Sequence, residues 1–427
     1  MMIYIPFIYF LSIFLYFLRK RKCLDAGGII TAIYVVGSFF SIIAYNTDHF
    51  IKFDFDKEFQ IIPTFFYLVL LTISILPFYG MKSKKLVITD NINQKRFLII
   101  GYVLIILNIV SFITSYDDIL VSLSEDFLDT RSAYYIEASY GATTRLSQSL
   151  WTYIISSASE FFPVLILFYF ISSIKKIGGF WFRLLLIISS LTRVLLSIII
   201  AGRTQVIYWI MLFGILFITF WQQIEKSVKR KMSITLAILL VPAAIYFLLV
   251  TESRFGEGEG SENSLIVYSG QTYPNFCKFY HHYSFKEVTF DRVFPITTKY
   301  VFGHDFNTTT YREKEESRIG MKTGIFFTFL GDAMMDFGLI GMIIYTLLFA
   351  MLARRSLKSK DYVVDVSYLI IMLLLLRQIS NGYFAYVYKS ISTSLFLIGS
   401  LFIAYLLKTP KKIIKNNQNN NTLLLDN

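Results

Sequence analysis

The chain is a succession of long apolar runs separated by short polar segments. The runs cover approximately residues 2–18, 27–45, 61–80, 97–114, 149–173, 180–200, 206–221, 232–250, 325–353, 363–380 and 385–407. A helix needs about 20 apolar residues to cross a hydrocarbon core roughly 30 Å thick. No water completes backbone hydrogen bonds inside a bilayer, so only helices and closed barrels can span it. Barrel strands alternate apolar and polar residues, whereas these runs are apolar throughout, and a barrel is excluded. The composition agrees, because 16% of the 427 residues are charged against about 25% in soluble domains. The expected fold is an all-α polytopic integral membrane protein with about 11 transmembrane helices.

The short loops give the spans a direction. Arg19–Lys22, Lys82–Lys85 with Lys95 and Arg96, Lys175–Lys176, Lys226–Lys231, Arg354–Lys360 and Lys408–Lys415 all fall on one side. Together they hold more than half of the 41 lysines and arginines. Short basic loops mark the cytoplasmic face, so the N-terminus is expected outside and the C-terminus inside. A net charge of +12 would suggest nucleic acid in a soluble protein. Here it belongs to topology, and no nucleic-acid partner is expected. Trp151 and Trp209 lie near outer ends of runs, Trp181 and Trp221 near inner ends, as an interfacial belt requires. The first run lacks a preceding basic region and a small-residue cleavage site, as expected of a retained span rather than a signal peptide. Cys23 and Cys277 fall on opposite sides and are not expected to pair.

The chain divides into four regions: spans one to eight in 1–250, a large outer loop in 251–324, spans nine to eleven in 325–407, and an Asn-rich tail in 408–427 whose low complexity marks it as disordered. A loop longer than about 15 residues is usually functional or disordered. This one holds three of the four histidines and aromatics throughout, among them Tyr273, Phe276, Tyr280, Phe290 and Phe294. It has apolar surface to bury, is expected to fold against the spans, and reads as the working face of a membrane enzyme.

Five cations belong to the outer half. Arg203 lies in Ala201-Gly-Arg-Thr-Gln205, the tight outer turn between two runs, and Arg193 precedes it by ten residues inside a run, roughly 15 Å deeper along a helix. Arg377 is in the outer third of its run, Lys389 near the start of the last, and Arg254 just beyond the eighth. An arginine at mid-helix costs about 2.5–3.5 kcal/mol on insertion scales and usually faces a polar cavity or a partner. A multivalent anion would offset that cost, since the guanidinium fork binds phosphate oxygens bidentately. A cationic cavity at the outer leaflet suits the diphosphate of a lipid carrier. The plainer alternatives are that Arg193 pairs with Glu160 and that Lys389 snorkels to the interface.

For a proton acceptor the candidates are few. His304, in Phe302-Gly-His-Asp-Phe306, titrates near neutrality in its unperturbed state. Asp332 and Asp336 are four residues apart, on one face if that segment is helical. Glu313, Glu315 and Glu316 read as a solvated run. His281-His282 lacks the spacing and cysteine partners of a zinc site. The chain has no Walker A, Gly-x-Gly-x-x-Gly or Gly-x-Ser-x-Gly motif.

With these features the chain resembles the oligosaccharide repeat-unit (O-antigen) polymerases of bacterial surface polysaccharide synthesis, the Wzy type, which are related to the O-antigen ligases. The resemblance rests on Ala201-Gly-Arg-Thr-Gln205 after a span, a large outer loop after span eight, and Thr328-Phe-Leu-Gly-Asp-Ala-Met-Met-Asp-Phe-Gly-Leu-Ile-Gly341 opening the next. It implies a helical architecture similar to the GT-C-like glycosyltransferases that use lipid-phosphate donors. It also implies a place in the bacterial inner membrane, and transfer of a chain from undecaprenyl diphosphate onto a new lipid-linked repeat. No metal, nucleotide sugar or other cofactor is expected. The pathway's chain-length regulator and flippase are the implied partners. Arg203 alone sits inside a matching motif and leads the diphosphate ligands; Arg193, Arg254, Arg377 and Lys389 come after it, on depth and charge. His304 is the nearest positional equivalent of the ligases' loop histidine.

Three rival readings compete with this one. A ligase shares topology and donor. A transporter of polysaccharide or lipid-linked oligosaccharide predicts charges along a path through the whole bilayer, and the sequence shows no internal repeat or matching pair of broken helices to support it. A scaffold leaves Arg193 and Glu160 no purpose beyond each other.

Overall fold

The structure is a computed structural model that describes residues 2–21, 24–47, 60–79, 86–124, 154–155, 157–200, 202, 204–255, 266–283, 288–303, 313, 316–317, 326–357 and 363–409. The elements in order are α1 (Ile5–Arg21), α2 (Ala26–Asn46), α3 (Ile61–Tyr79), β1 (Val87–Ile88), α4 (Gln94–Thr114) and α5 (Tyr116–Ser124). A 3-10 turn over Ser159–Phe161 leads into α6 (Phe162–Lys175), then α7 (Phe180–Ser190), α8 (Thr192–Leu196), α9 (Thr204–Phe220) and α10 (Lys226–Phe255). The last group is α11 (Thr272–His282), α12 (Pro295–Tyr300), α13 (Thr328–Leu357), β2 (Val363–Val364), α14 (Val366–Asn381) and α15 (Ile391–Leu406).

Among the described residues, six helices are long and apolar enough to cross a membrane, and three shorter apolar ones accompany them. The distribution of apolar side chains is that of a membrane protein. Helices α6 and α14 are buried nearly all round and form the centre of the bundle. By contrast α1, α4, α13 and α15 turn Ile8, Ile106, Ile344 and Phe402 outward. Apolar residues on the outside of a helix that packs on others by its inner face are what lipid contact requires.

The bundle has two distinct ends. At one, the basic loops meet: β1 pairs in parallel with β2, Val87 opposite Val363 and Ile88 opposite Val364. There Lys175 pairs with Asp90 at 2.5 Å and Lys176 with Glu225 at 2.7 Å. The Thr409 amide donates to Asp365 at 3.1 Å. Asp25, Asn93 and Asp365 cap α2, α4 and α14, each accepting a first-turn N–H. At the opposite end the Tyr273 hydroxyl bonds to Thr64 at 2.7 Å and donates to the Met2 carbonyl at 3.4 Å, while Ser41 donates to the Gly270 carbonyl at 2.5 Å. The described residues of the loops placed on one side by charge therefore gather in space. The described part of the large loop packs on the spans, with α11 stacking Phe279 on Phe327 at 5.2 Å.

The apolar runs are less uniform than their composition suggests. The run 180–200 stays helical but tightens at Leu191, where the amide bonds to the Ile188 carbonyl at 3.0 Å, between α7 and the short α8, and it ends in a 3-10 turn. The run 149–173 is continuous α-helix only from Phe162, after Ser159–Phe161. The last run starts with turns, and its helix begins at Ile391 behind a Ser390–Thr393 capping box. Helix α13 is kinked at Gly338, where φ is 69° and ψ −176°. Irregular turns and the kink at Gly338, which a window average over the apolar runs does not resolve, are a prominent feature of the fold.

Candidate functional site

The first charged cluster forms where two of these turns meet the end of α14. Pro163 sits in the first turn of α6 and supplies no backbone donor, and the preceding 3-10 turn presents Glu160 inward. The Glu160 side chain is 1% exposed, with Oε1 2.7 Å from Arg193 Nη2 and Oε2 2.5 Å from Arg377 Nη2. Arg377 Nη1 also donates to the Glu160 carbonyl at 3.2 Å. Its guanidinium carbon lies 4.4 Å from the Phe396 ring centre and 5.4 Å from that of Phe162, so aromatic faces complete the surroundings of the buried cation. Arg193, on α8, is 28% exposed against 5% for Arg377. One carboxylate between two guanidiniums leaves a net charge of about +1.

The second cluster surrounds the first half of α13. Backbone donors at the start of this helix are satisfied by the turn after α14: Thr328 N donates to the Phe384 carbonyl at 3.1 Å and Phe329 N to that of Gly382 at 2.9 Å. Thr328 has φ of 67°, a strained conformation for a β-branched residue. Asp332 is fully buried, its Oδ1 2.6 Å from Arg292 Nη1. Its Oδ2 accepts from Tyr386 N at 2.7 Å and lies 3.8 Å from Lys389 Nζ. Again one carboxylate faces two cations, and again one cation, Lys389, is the more exposed.

Asp336, one turn on, has a different part. Its Oδ2 accepts from Val293 N at 2.7 Å and Arg292 N at 3.0 Å, and its Oδ1 accepts from Thr289 Oγ at 3.1 Å. The carboxylate is engaged in holding the turn that carries Arg292. As a proton acceptor it would have to give up those bonds.

The turns at 382–390 join the clusters. Tyr386 gives its amide to Asp332 while its ring lies 5.8 Å from that of Tyr388. Tyr388 donates to the Leu374 carbonyl at 2.8 Å and stacks on Phe396, the ring that covers Arg377. Both clusters occupy the half of the bundle away from the basic loops: α6, α7, α13, α14 and α15 all have their other ends there.

The structure thus gathers five of the eight residues proposed from sequence into two clusters: Arg193 with Arg377, and Asp332 with Asp336 and Lys389. The pairing of Arg193 with Glu160 is present, and Arg377 joins it. Arg254 lies in the last turn of α10. Arg203 and His304 lie outside the described residues. Sequence reasoning missed Arg292, whose signal was a charge set among aromatics in Phe290-Asp-Arg-Val-Phe294. It also missed the role of the Tyr386 amide, which no side-chain pattern announces. No protein-family model matches this sequence, and neither a curated protein nor a solved structure matches it.

Proposed function

We propose that the chain is a membrane glycosyltransferase of the repeat-unit polymerase type, joining oligosaccharides carried on undecaprenyl diphosphate into a surface polysaccharide. The observation that supports this reading is the pairing of cations around buried carboxylates, Glu160 and Asp332, in the half of the bundle opposite the basic loops. Such an arrangement keeps positive charge in an apolar setting and, at Glu160, leaves one cation in excess for an anion. In this reading about eleven spans form a GT-C-like bundle in a bacterial inner membrane, with the basic end cytoplasmic.

The reaction joins an acceptor sugar hydroxyl to the anomeric carbon of the donor. The bond from that carbon to the diphosphate oxygen breaks, and its electron pair leaves with the diphosphate. Arg203 and Arg193, with Arg254, Arg377 and Lys389 behind them, stabilise the departing charge, the dominant contribution. The hydroxyl proton passes to a base worth about 10²–10⁴-fold. His304, Asp336 and Asp332 are the candidates for that role. The test is the protein in nanodiscs with a lipid-linked repeat unit. A ladder of multiples without added metal or nucleotide sugar supports the polymerase; glycosylation of added lipid A core instead identifies a ligase.

A second reading is favoured by one observation, the interruption of α13 at Gly338. Discontinuous helices with charge at the break are the common setting of transporter sites. Passage of the lipid-linked sugar across a vesicle membrane, with no ladder, would replace the polymerase by a transporter.

A further inference from the structure

Residues 288–303 are built inside out. Asp291 is 6% exposed, and the Arg292 side chain, 14% exposed, points inward to Asp332. The large outward side chains are Val288, Phe290, Phe294, Tyr300, Val301 and Phe302, exposed by 37–71%, with Thr297 exposed among them and Lys299 half-buried. A solvated surface loop has the reverse pattern, with charges outward and aromatics tucked in. Contiguous apolar exposure of this kind marks a surface that something else covers.

Much of the segment's backbone is satisfied by the protein itself. Thr289 N donates to the Asp336 carbonyl at 2.8 Å, and the amides of Arg292 and Val293 go to the Asp336 carboxylate. Phe294 N, Thr298 N and Val301 N then donate to the carbonyls of Phe290, Phe294 and Thr297 at 2.9, 3.1 and 2.8 Å. Irregular backbone at membrane depth is tolerated only where its polar groups are satisfied by protein. A buried carboxylate that accepts consecutive amides of a turn meets that requirement.

The surface is also continuous with the lipid-facing belt and lies at the right height. Phe290 packs 5.6 Å from Phe337, the residue before the α13 kink, and 6.1 Å from both Phe294 and Phe302. Beyond the kink, α13 exposes Ile340, Ile344 and Leu348. Arg354 and Arg355, near the C-terminus of α13, are exposed at the basic end. From Leu339 to Ala353 a helix rises about 21 Å, whereas a hydrocarbon core is about 30 Å thick. With the arginines at the headgroups, about 9 Å of hydrocarbon remains beyond the kink, at the level of Phe290.

We infer that residues 288–303 form a membrane-dipping segment whose aromatic face lies against lipid acyl chains at the far end of the hydrocarbon core. The role of Asp336 is to make that placement possible, and the consequence is that Arg292 reaches Asp332 from the lipid side. The occupant of the surface is bilayer lipid.

Two measurements test this on the full chain in nanodiscs. In the first, the unmodified protein is photolabelled with a lipid-partitioned aryl diazirine and its peptides are read by mass spectrometry. Adducts are expected within 288–303 as well as on the outward face of α15 around Phe402; labelling of α15 with none in 288–303 overturns the inference. In the second, nitroxides are placed at Phe294→Cys and Val301→Cys in a Cys23→Ser background. Their accessibility to oxygen and to a water-soluble nickel chelate is compared with Ile344→Cys, on the lipid-facing belt, and Lys176→Cys, in a basic loop. Oxygen-accessible labels resembling Ile344→Cys support the segment's place in lipid, and nickel-accessible labels resembling Lys176→Cys refute it. Spin–spin broadening between labels on two chains would assign the face to a second copy and refute it equally.

Discussion

Glu160→Gln removes one negative charge and almost no volume, so its cost can be worked from the geometry of the charges left behind. Two guanidiniums approach this carboxylate at 2.7 and 2.5 Å. At about 4 Å between charges and an effective dielectric of about 20, each pair is worth about 4 kcal/mol before desolvation. Glutamine still accepts one hydrogen bond, but it leaves two cations together with no counter-charge. The net cost falls near the about 3–5 kcal/mol seen when one member of a buried pair is removed. Arg377→Gln should cost a similar amount, because it strips Glu160 of its most buried partner and removes the cation from between Phe162 and Phe396. Arg193→Gln is different. It leaves a neutral Glu160–Arg377 pair and alters a side chain 28% exposed, so screening holds its cost to about 1 kcal/mol or less. Thermal unfolding in nanodiscs, tracked by tryptophan fluorescence, should rank the wild type first and Arg193→Gln close behind. Arg377→Gln and Glu160→Gln should fall well below both. The double variant Glu160→Gln/Arg377→Gln should lose less than the sum of its parts. Equal stability of Glu160→Gln and the wild type, or of Arg193→Gln and Arg377→Gln, would refute the reasoning.

Asp336→Asn keeps an acceptor but loses the charge that holds two amides, at about 1–3 kcal/mol; hydrogen exchange should quicken at Arg292 and Val293 before it changes elsewhere, and unchanged protection there would argue against the turn-holding role. Gly338→Ala places a side chain at φ 69° and ψ −176°, a region that glycine alone occupies freely, and should cost about 1–3 kcal/mol in thermal unfolding; an unchanged transition would contradict the kink. Burial pushes the Cys277 thiol up to about 12, so its thiolate is scarce near neutrality. Its alkylation in the folded protein should be slow at pH 8 and keep rising with pH beyond 9, where an ordinary thiol levels off; a plateau near 9 would show an accessible cysteine. In the polymerase assay Arg203→Ala, stably inserted, should abolish the ladder, and normal polymerisation would remove Arg203 from the diphosphate site.

The parts of the fold that were legible in sequence are those that depend on transfer free energy averaged over a window. Long apolar runs and basic loops are such averages, and the loops do gather at one end through contacts such as Lys175–Asp90 and β1–β2. What the averages conceal is where a helix breaks. Single residues carry that signal instead: Ser189-Ser190 and Thr192-Arg193 flank Leu191, and Asp336 and Gly338 stand inside the run 325–353. The i, i+4 spacing did put Asp332 and Asp336 on one face, because a single helical turn carries both. It could not say that one faces cations and the other backbone amides. That difference comes from residues 289–293 and 386–389, brought from remote parts of the chain.

The coincidence of charge with helix breaks has a physical cause that bears on function. A continuous helix directs its side chains sideways and satisfies its own backbone, so a mid-span arginine on it must find a partner across a packed interface. At a break the chain can turn a carboxylate inward from a short turn, as Glu160 does from Ser159–Phe161, and meet two cations from different helices at once. At Asp332, which lies within the helical first half of α13, it is the cations that come from irregular chain, the 288–303 segment and the turns before α15. A carboxylate shared by two cations is enough to make their burial tolerable but not enough to neutralise them. In the proposed reading the Glu160 cluster therefore rests with about one positive charge in excess, whereas Asp332 and Asp336 together balance Arg292 and Lys389. A diphosphate that brings two or more negative charges neutralises what the protein left unbalanced at Glu160. An inert scaffold has no use for that excess. One acid for each base would have served it better, so the imbalance, rather than the burial of charge as such, is the feature that argues for an anionic ligand.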